Sequence, residues 1–387
     1  MNNSRQDFPT PFWLKGFLLT LPFGFQLIPQ IVIADFFALY GIFTFLKKVV
    51  AKEIPLFEKS DSFFVCFLGF SFFGADILFF PRNFLFELVT LLFLFGLYKS
   101  VSWEIRSIKS FREAINLLNY LFFPLIITLG CVSILRMLGF SEISRLFYSQ
   151  AGKIAWPYSF SNQLGAYLIG GFPFAAGFYS TNLKKKIVMY SFFMIVIFET
   201  GARSVLGLAL FEVFLLEFIA VIESRNFSEK LAFAAIFFIF ILFSLFWANE
   251  FAFKRALGAL DNTPLTYDYT RSQNYSEALE AMNGWWAGVG LGCFKALHQF
   301  EVHNTPLSLL SETGIPGFML FFIWLSGVFF PLLNSAIIRK CNGLMLAAAV
   351  LALFCLGFFH NLLRNRFLWT LLALGKSELK ISADEAN

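Results

Sequence analysis

Runs of about twenty apolar residues, separated by a few polar ones, recur along almost the whole chain. "LAFAAIFFIFILFSLFW", Leu231 to Trp247, is one of them. Such a run matches the length a helix needs to cross about 30 Å of hydrocarbon. In lipid every backbone N–H and C=O must be satisfied internally, which leaves helices or closed barrels. These runs are continuously apolar and too long for barrel strands, so helices are expected. Composition agrees: hydrophobic residues are 58% of the chain and charged residues 14%, where soluble domains carry about 25% charge. Fifty-seven Phe exceed what one soluble core of this size could hide. The expected fold class is an all-α polytopic membrane protein.

Candidate spans fall near 11–30, 31–47, 61–80, 83–98, 114–138, 158–180, 187–202, 204–222, 231–249, 306–333, 343–360 and, more briefly, 367–375. That makes about 12 transmembrane helices in one membrane domain, 1–387, without internal repeat. The first run, "PFWLKGFLLTLPFGFQLIPQ", lacks a small-residue cleavage site, so a cleaved signal is not expected. With both termini in the cytoplasm, the inner segments hold 19 of the 30 basic residues, as topology requires. The stretch 250–304 then becomes one large extracytoplasmic loop. The net charge of +5 is thereby explained by topology against anionic lipid and does not argue for nucleic acid. The five cysteines, at 66, 131, 293, 341 and 355, show no metal-site or disulfide spacing.

Within the loop, "YTRSQNYSEALEAMNGWW" reads as an amphipathic helix over about 271–282. Thr270 and Gln273 have capping-box spacing, and Asn283-Gly284 is a stop signal. Arg271, Tyr275, Leu279, Met282 and Trp286 recur near helical spacing, which predicts one shared face on the membrane surface. Arg271 is then either a ligand-binding cation or a snorkelling one. "WAGVGLGCF" places glycines at 288, 290 and 292. They do not match a nucleotide-binding pattern and predict a tight backbone passage.

The chain has only three histidines, and one opens "HNTPLSLLSETGIPGF". Thr305 is the expected N-cap and Pro306 the first helical residue. His303 would sit just before a helix N-terminus, whose partial positive charge favours a neutral ring able to accept a proton. The same helix end attracts phosphate oxygens. The alternative is an interfacial histidine with no chemistry. Two turns in, Glu312 needs an arginine or a hydrogen-bond partner. Gly314, Pro316 and Gly317 predict a kink.

In "FETGARSVLG" two apolar runs meet around Arg203, either a functional cation or a structural partner of Glu199 or Glu312. "HNLLRNRF" adds His360, Arg364 and Arg366, of which His360 reads as an anchor of the last helix. Asn162, in "YSFSNQLGAYL", is either a cap or a ligand. Guanidinium groups suit bidentate phosphate recognition. Cations for phosphates, greasy grooves for a tail and a base for a hydroxyl are the parts that a lipid-linked pyrophosphate site requires.

The order of "SNQLGAYL", "ETGARSVLGL", "RSQNYSEALEAM", "GVGLGCF" and above all "HNTPLSLLSETGIPGF" resembles the O-antigen ligase/polymerase superfamily of bacterial envelope proteins. The resemblance covers roughly residues 155–335 by motif, and the first 150 residues by span pattern alone. It implies a glycosyltransferase C-type-like fold in the bacterial inner membrane with a periplasmic site. The donor would be an undecaprenyl-diphosphate-linked glycan. The acceptor would be a sugar hydroxyl of lipid A-core for a ligase, or another lipid-linked repeat for a polymerase. It implies that His303 activates the acceptor and that Arg203 and Arg271 hold the diphosphate. Asn304, Glu312, Asn162, Arg364 and Arg366 become supporting or substrate-binding residues. No cofactor and no metal are implied. Ala202 departs from the Ser usual before that arginine. A lipid or polysaccharide transporter is the reading from another class. Such proteins pair interrupted helices from two halves, and the sequence offers one interruption, at 314–317.

Overall fold

The structure, a computed structural model, describes residues 9–21, 26–28, 31–140, 142, 146–148, 153–158, 161–177, 183–223, 266–282, 286–339 and 343–386. These are overwhelmingly helical, with one small hairpin of β1 (Gln26–Ile28) and β2 (Ile31–Val32). The expected span at 231–249, the loop up to residue 265 and the Asn283-Gly284 stop lie outside the described residues.

Among the described residues, three helices are long and apolar enough to cross a membrane: α4 (Pro81–Glu104), α5 (Ile108–Met137) and the Thr305–Asn334 part of α11 (Thr305–Arg339). Local chemistry sets their starts. Pro81 occupies the first turn of α4, where its missing N–H is no loss. Ser107 caps α5, its hydroxyl accepting the Ser110 N–H at 3.1 Å.

Two expected spans are corrected. Residues 11–30 do not form one helix: α1 (Phe12–Thr20) stops after nine residues and the hairpin follows. In the sequence Pro22 follows Leu21 directly, and proline is a poor residue for continuing a helix. Residues 61–80 hold only the nine-residue α3 (Ser62–Phe70), a single 3-10 turn and a loop leading to α4. Nine residues rise about 14 Å, half a bilayer core. The hydropathy of both runs hides the break, because the loop residues are as apolar as the helix.

α2 (Ile33–Val50), α6 (Ser161–Gly177), α7 (Leu183–Thr200), α8 (Arg203–Glu223) and α12 (Gly343–Leu356) complete the bundle, with α13 (Arg366–Ala386) running well past the short span expected at 367–375. α6 is buried all round from Leu164 to Ala176 and packs against α5, α7, α8 and α12. Its Gly171 lets the Phe122 ring of α5 come so close that a Cβ would sit 2.1 Å from it. Outward, apolar side chains form the exposed stripes: Phe36, Leu39 and Phe43 on α2, and Leu85, Val89 and Leu92 on α4. Apolar surface at helical spacing facing away from the protein belongs against lipid.

The alternating helices give the bundle two ends. One gathers Lys15, Lys48, Lys99, Lys376 and Lys380 with their acidic partners. The other gathers the starts of α2, α4, α6, α8, α11 and α13, and His303 lies there.

Candidate functional site

Asn304, not Thr305, caps α11: its Oδ1 accepts the Leu307 N–H at 2.9 Å. Thr305 is claimed elsewhere. It donates its N–H to the Gly357 carbonyl at 2.7 Å and its hydroxyl to the His360 carbonyl at 2.8 Å, and it accepts the Leu362 N–H at 2.9 Å. The Asn304 amide nitrogen donates to the Phe358 carbonyl at 2.9 Å. The strap 357–362 between α12 and α13 thus fixes the α11 start, with half-buried His303 immediately before the cap.

The loop helix α9 (Thr266–Glu280) begins before the expected 271. Thr270 and Gln273 are therefore interior residues rather than a cap. The predicted single face is also corrected. Asn274, Ala278 and Met282 are buried, whereas Leu279 is 54% and Trp286 77% exposed. Steps of four residues drift about 40° each around a helix, and Trp286 lies beyond the helix end. Tyr275 donates its hydroxyl to the His303 carbonyl at 3.4 Å. Glu277 meets the His298 Nδ1 at 2.9 Å, which fastens α9 to α10 (Cys293–His298). Arg271 precedes Tyr275 by one turn.

Arg203 opens α8 after a two-residue turn in which Gly201 adopts φ 62°. Arg203 and Arg271 are placed here by backbone position alone. Beside Arg203, Ser204 Oγ lies 3.0 Å from His360 Nε2. The helix starts led by Arg203 and by Asn304 are therefore joined through one histidine, and α9 joins them through Tyr275. Glu199, weighed as an Arg203 partner, pairs with Arg136 at 3.3 Å. Asn162 occupies the first turn of α6 at the same end and is half-buried.

The glycine passage is as tight as its sequence predicts. Val289 and Gly290 donate their N–H groups to the Ser311 and Glu312 carbonyls at 2.9 Å each. On the other side, Ala75 and Asp76 donate to the Gly288 and Val289 carbonyls at 3.1 and 3.0 Å. Gly314 breaks α11 with φ 68° and ψ −177°. The chain thus threads between a broken helix and the loop that ends α3, and it satisfies the backbone groups exposed there, as lipid surroundings demand. The Glu312 carboxylate accepts the Gly292 N–H, a backbone partner.

Arg366 grips Asp35 of α2 with two hydrogen bonds, at 2.5 and 2.8 Å. Arg364 binds Glu87 of α4 through Nε at 3.0 Å and approaches Glu301 to 3.6 Å. Burial pulls its guanidinium below the usual arginine range. These pairs tie the strap to α2 and α4. Beside them Glu87, Glu301, Glu312, Ser308 and Asn361 line a cavity of about 20 Å³, room for about one water. Burial, with Glu312 and Asp76 nearby, pushes the Cys293 thiol up to about 11, so it is inert at neutral pH. Among the described residues no group of His, Cys, Asp and Glu could hold a metal ion.

Sequence reasoning missed Ser204, Glu87 and Glu301 and read His360 as an anchor only. The available signal was the second His-Asn pair, His360-Asn361, echoing His303-Asn304. No family model matches the chain, and no curated protein matches it.

Proposed function

We propose that this chain is a glycosyltransferase of the C-type architecture, with about 12 spans, in a bacterial inner membrane. Its termini face the cytoplasm and its site faces the periplasm. It transfers a glycan from an undecaprenyl-diphosphate-linked donor to a sugar hydroxyl of lipid A-core or a similar acceptor, as an O-antigen ligase does. The observation that carries this reading is the convergence of three helix stations on one end of the bundle. His303 precedes the α11 start, Arg203 opens α8, and Tyr275 and His360 link them to each other and to the helix bearing Arg271.

In the proposed reaction His303 takes the proton of the acceptor hydroxyl. The oxygen bonds to the anomeric carbon while the bond to the diphosphate oxygen breaks. Arg203 and Arg271 hold the departing diphosphate, as preorganised charge stabilises a developing anion. One displacement inverts the anomeric centre. Losing a general base typically lowers rate by about 10²- to 10⁴-fold. His303→Ala should therefore abolish glycan attachment and accumulate lipid-linked chains while the protein stays folded and inserted. Activity should fall below about pH 6.5, where an ordinary imidazole protonates. Near-normal attachment in His303→Ala, or a flat acid limb, removes the mechanism. In a deletion strain, loss of all attached polymer supports the ligase; acceptors bearing single repeats make it a polymerase instead.

A lipid or polysaccharide transporter has one observation in its favour. α11 is interrupted at Gly314, α3 stops after nine residues, and the two breaks meet through residues 288–290. Transport of lipid-linked glycan that survives His303→Ala would select that reading.

A further inference from the structure

The strap 357–362 is fastened very differently to its two neighbours. Toward α11 it makes five hydrogen bonds, three of them through strap carbonyls: Gly357, Phe358 and His360 accept from Thr305 N–H, the Asn304 amide and the Thr305 hydroxyl, Leu362 N–H returns to that hydroxyl, and the Asn361 amide donates to the Ser308 hydroxyl at 3.2 Å. Toward α8, the described hydrogen bond is one side-chain contact, His360 Nε2 to Ser204 Oγ at 3.0 Å. Backbone groups thus lock the strap onto the α11 start, and the His360 imidazole reaches across to the α8 start. A serine hydroxyl can donate to or accept from a ring nitrogen, so the link survives either tautomer.

We infer that His360 is a positioning residue that sets the distance between the α8 start carrying Arg203 and the α11 start following His303. This rests on the transfer reaction proposed above. It assigns His360 no proton transfer: the ring is a rigid spacer whose far end is the Ser204 hydroxyl. Misplacing reacting groups by about 1 Å can lower rate by about 100-fold, which is the scale of effect a lost spacer should have.

The test uses the full chain in lipid nanodiscs, with a polyprenyl-diphosphate-linked glycan and a sugar-hydroxyl acceptor. His360→Ala should lower transfer by about 10- to 100-fold with the size-exclusion profile unchanged. His360→Gln should restore most of it, because its terminal amide reaches the place of the imidazole Nε2; His360→Asn, one methylene shorter, should not. Ser204→Ala should match His360→Ala, and the double variant should lose no more than either alone, since both remove one contact. The acid limb of the pH profile should persist in His360→Gln. A second readout needs no activity: spin labels on Ala202→Cys and Phe358→Cys should show a broadened distance in His360→Ala and the original one in His360→Gln. Unchanged label distances in His360→Ala, or normal transfer, overturn the inference. So does loss of the acid limb in His360→Gln, which would make His360 a proton acceptor. Label distances that respond to His360 in a wild-type protein without transfer activity leave the spacer standing and remove the glycosyl-transfer reading instead.

Discussion

The two ends of the bundle are held by different forces. At the lysine end, side-chain charges do the joining. Buried Lys99 of α4 donates to buried Asp61 at 2.7 Å, and Glu58 gathers Lys99, Lys376 and Lys380 around it. At the histidine end ion pairs also occur, but the break in α11 is closed by backbone hydrogen bonds to a glycine passage. An ionic joint depends on charge and tolerates changes of shape. A backbone joint depends on shape and tolerates no side chain. The end that carries the candidate site thus adds to the ion pairs of Arg364 and Arg366 a backbone joint with no room for a side chain at residue 288.

The sharpest way to break this contrast is a methyl group in the passage. A Cβ at residue 288 would lie 2.2 Å from the Glu312 carbonyl carbon and 2.5 Å from the Ser311 oxygen. Both are backbone and cannot rotate away. Gly288→Val should abolish monodisperse protein on size exclusion in detergent. Gly207→Ala in α8, where a Cβ meets nothing within 4 Å, should leave the profile unchanged. A monodisperse Gly288→Val at wild-type yield would show that the passage is loose.

The ionic end gives the next largest effect. Asp61→Asn leaves the Lys99 ammonium buried, with Glu58 at 3.8 Å as its remaining anion. Removing one member of a buried pair typically destabilises by about 3–5 kcal/mol, whereas replacing both with apolar groups is often neutral. Asp61→Asn should lower Tm in detergent clearly, and Asp61→Leu combined with Lys99→Met should recover most of the loss. A double variant as unstable as the single one would mean that shape, not charge, governs this end too.

These two cases also mark what the sequence could reveal. The glycines at 288, 290 and 292 and the break at Gly314 were legible because glycine has few other uses at such density. The long helices were legible from apolar length, and the lysine end from charge asymmetry. The half-helices α1 and α3 were not, since an apolar loop and an apolar helix share one hydropathy. The cap at Asn304 was hidden by competition: Thr305 has the better local pattern, but the strap takes its hydroxyl and its N–H. The partners of Arg364 and Arg366 lie 277 and 331 residues away, beyond any local pattern. The grouping of His303 with Arg203 and Arg271 is an expectation from residue chemistry and motif order. The contact between His360 and Ser204 joins residues 156 positions apart, so only the His-Asn pair, not its partner, could be read locally.

The smallest effect tests whether the exposed rim of the ionic end matters at all. Burial pushes the Glu58 carboxyl up, but the hydrogen bond from Lys380 and the charges of Lys99, Lys380 and Lys376 outweigh it and hold the group below its usual range. A carboxyl with a depressed folded pKa contributes stability above its unfolded value, near 4.3, and that contribution disappears as pH falls through the lower folded value. The Glu58 side chain is 29% exposed, so screening should limit the contribution to about 0–1 kcal/mol. Tm of the wild type should therefore decline slightly on acidification below about pH 4.5. Glu58→Gln should start lower at neutral pH and show a flatter acid decline. If Glu58→Gln matches the wild type at every pH, the charge joint reduces to the buried Lys99–Asp61 pair, and Lys376 and Lys380 serve topology rather than stability.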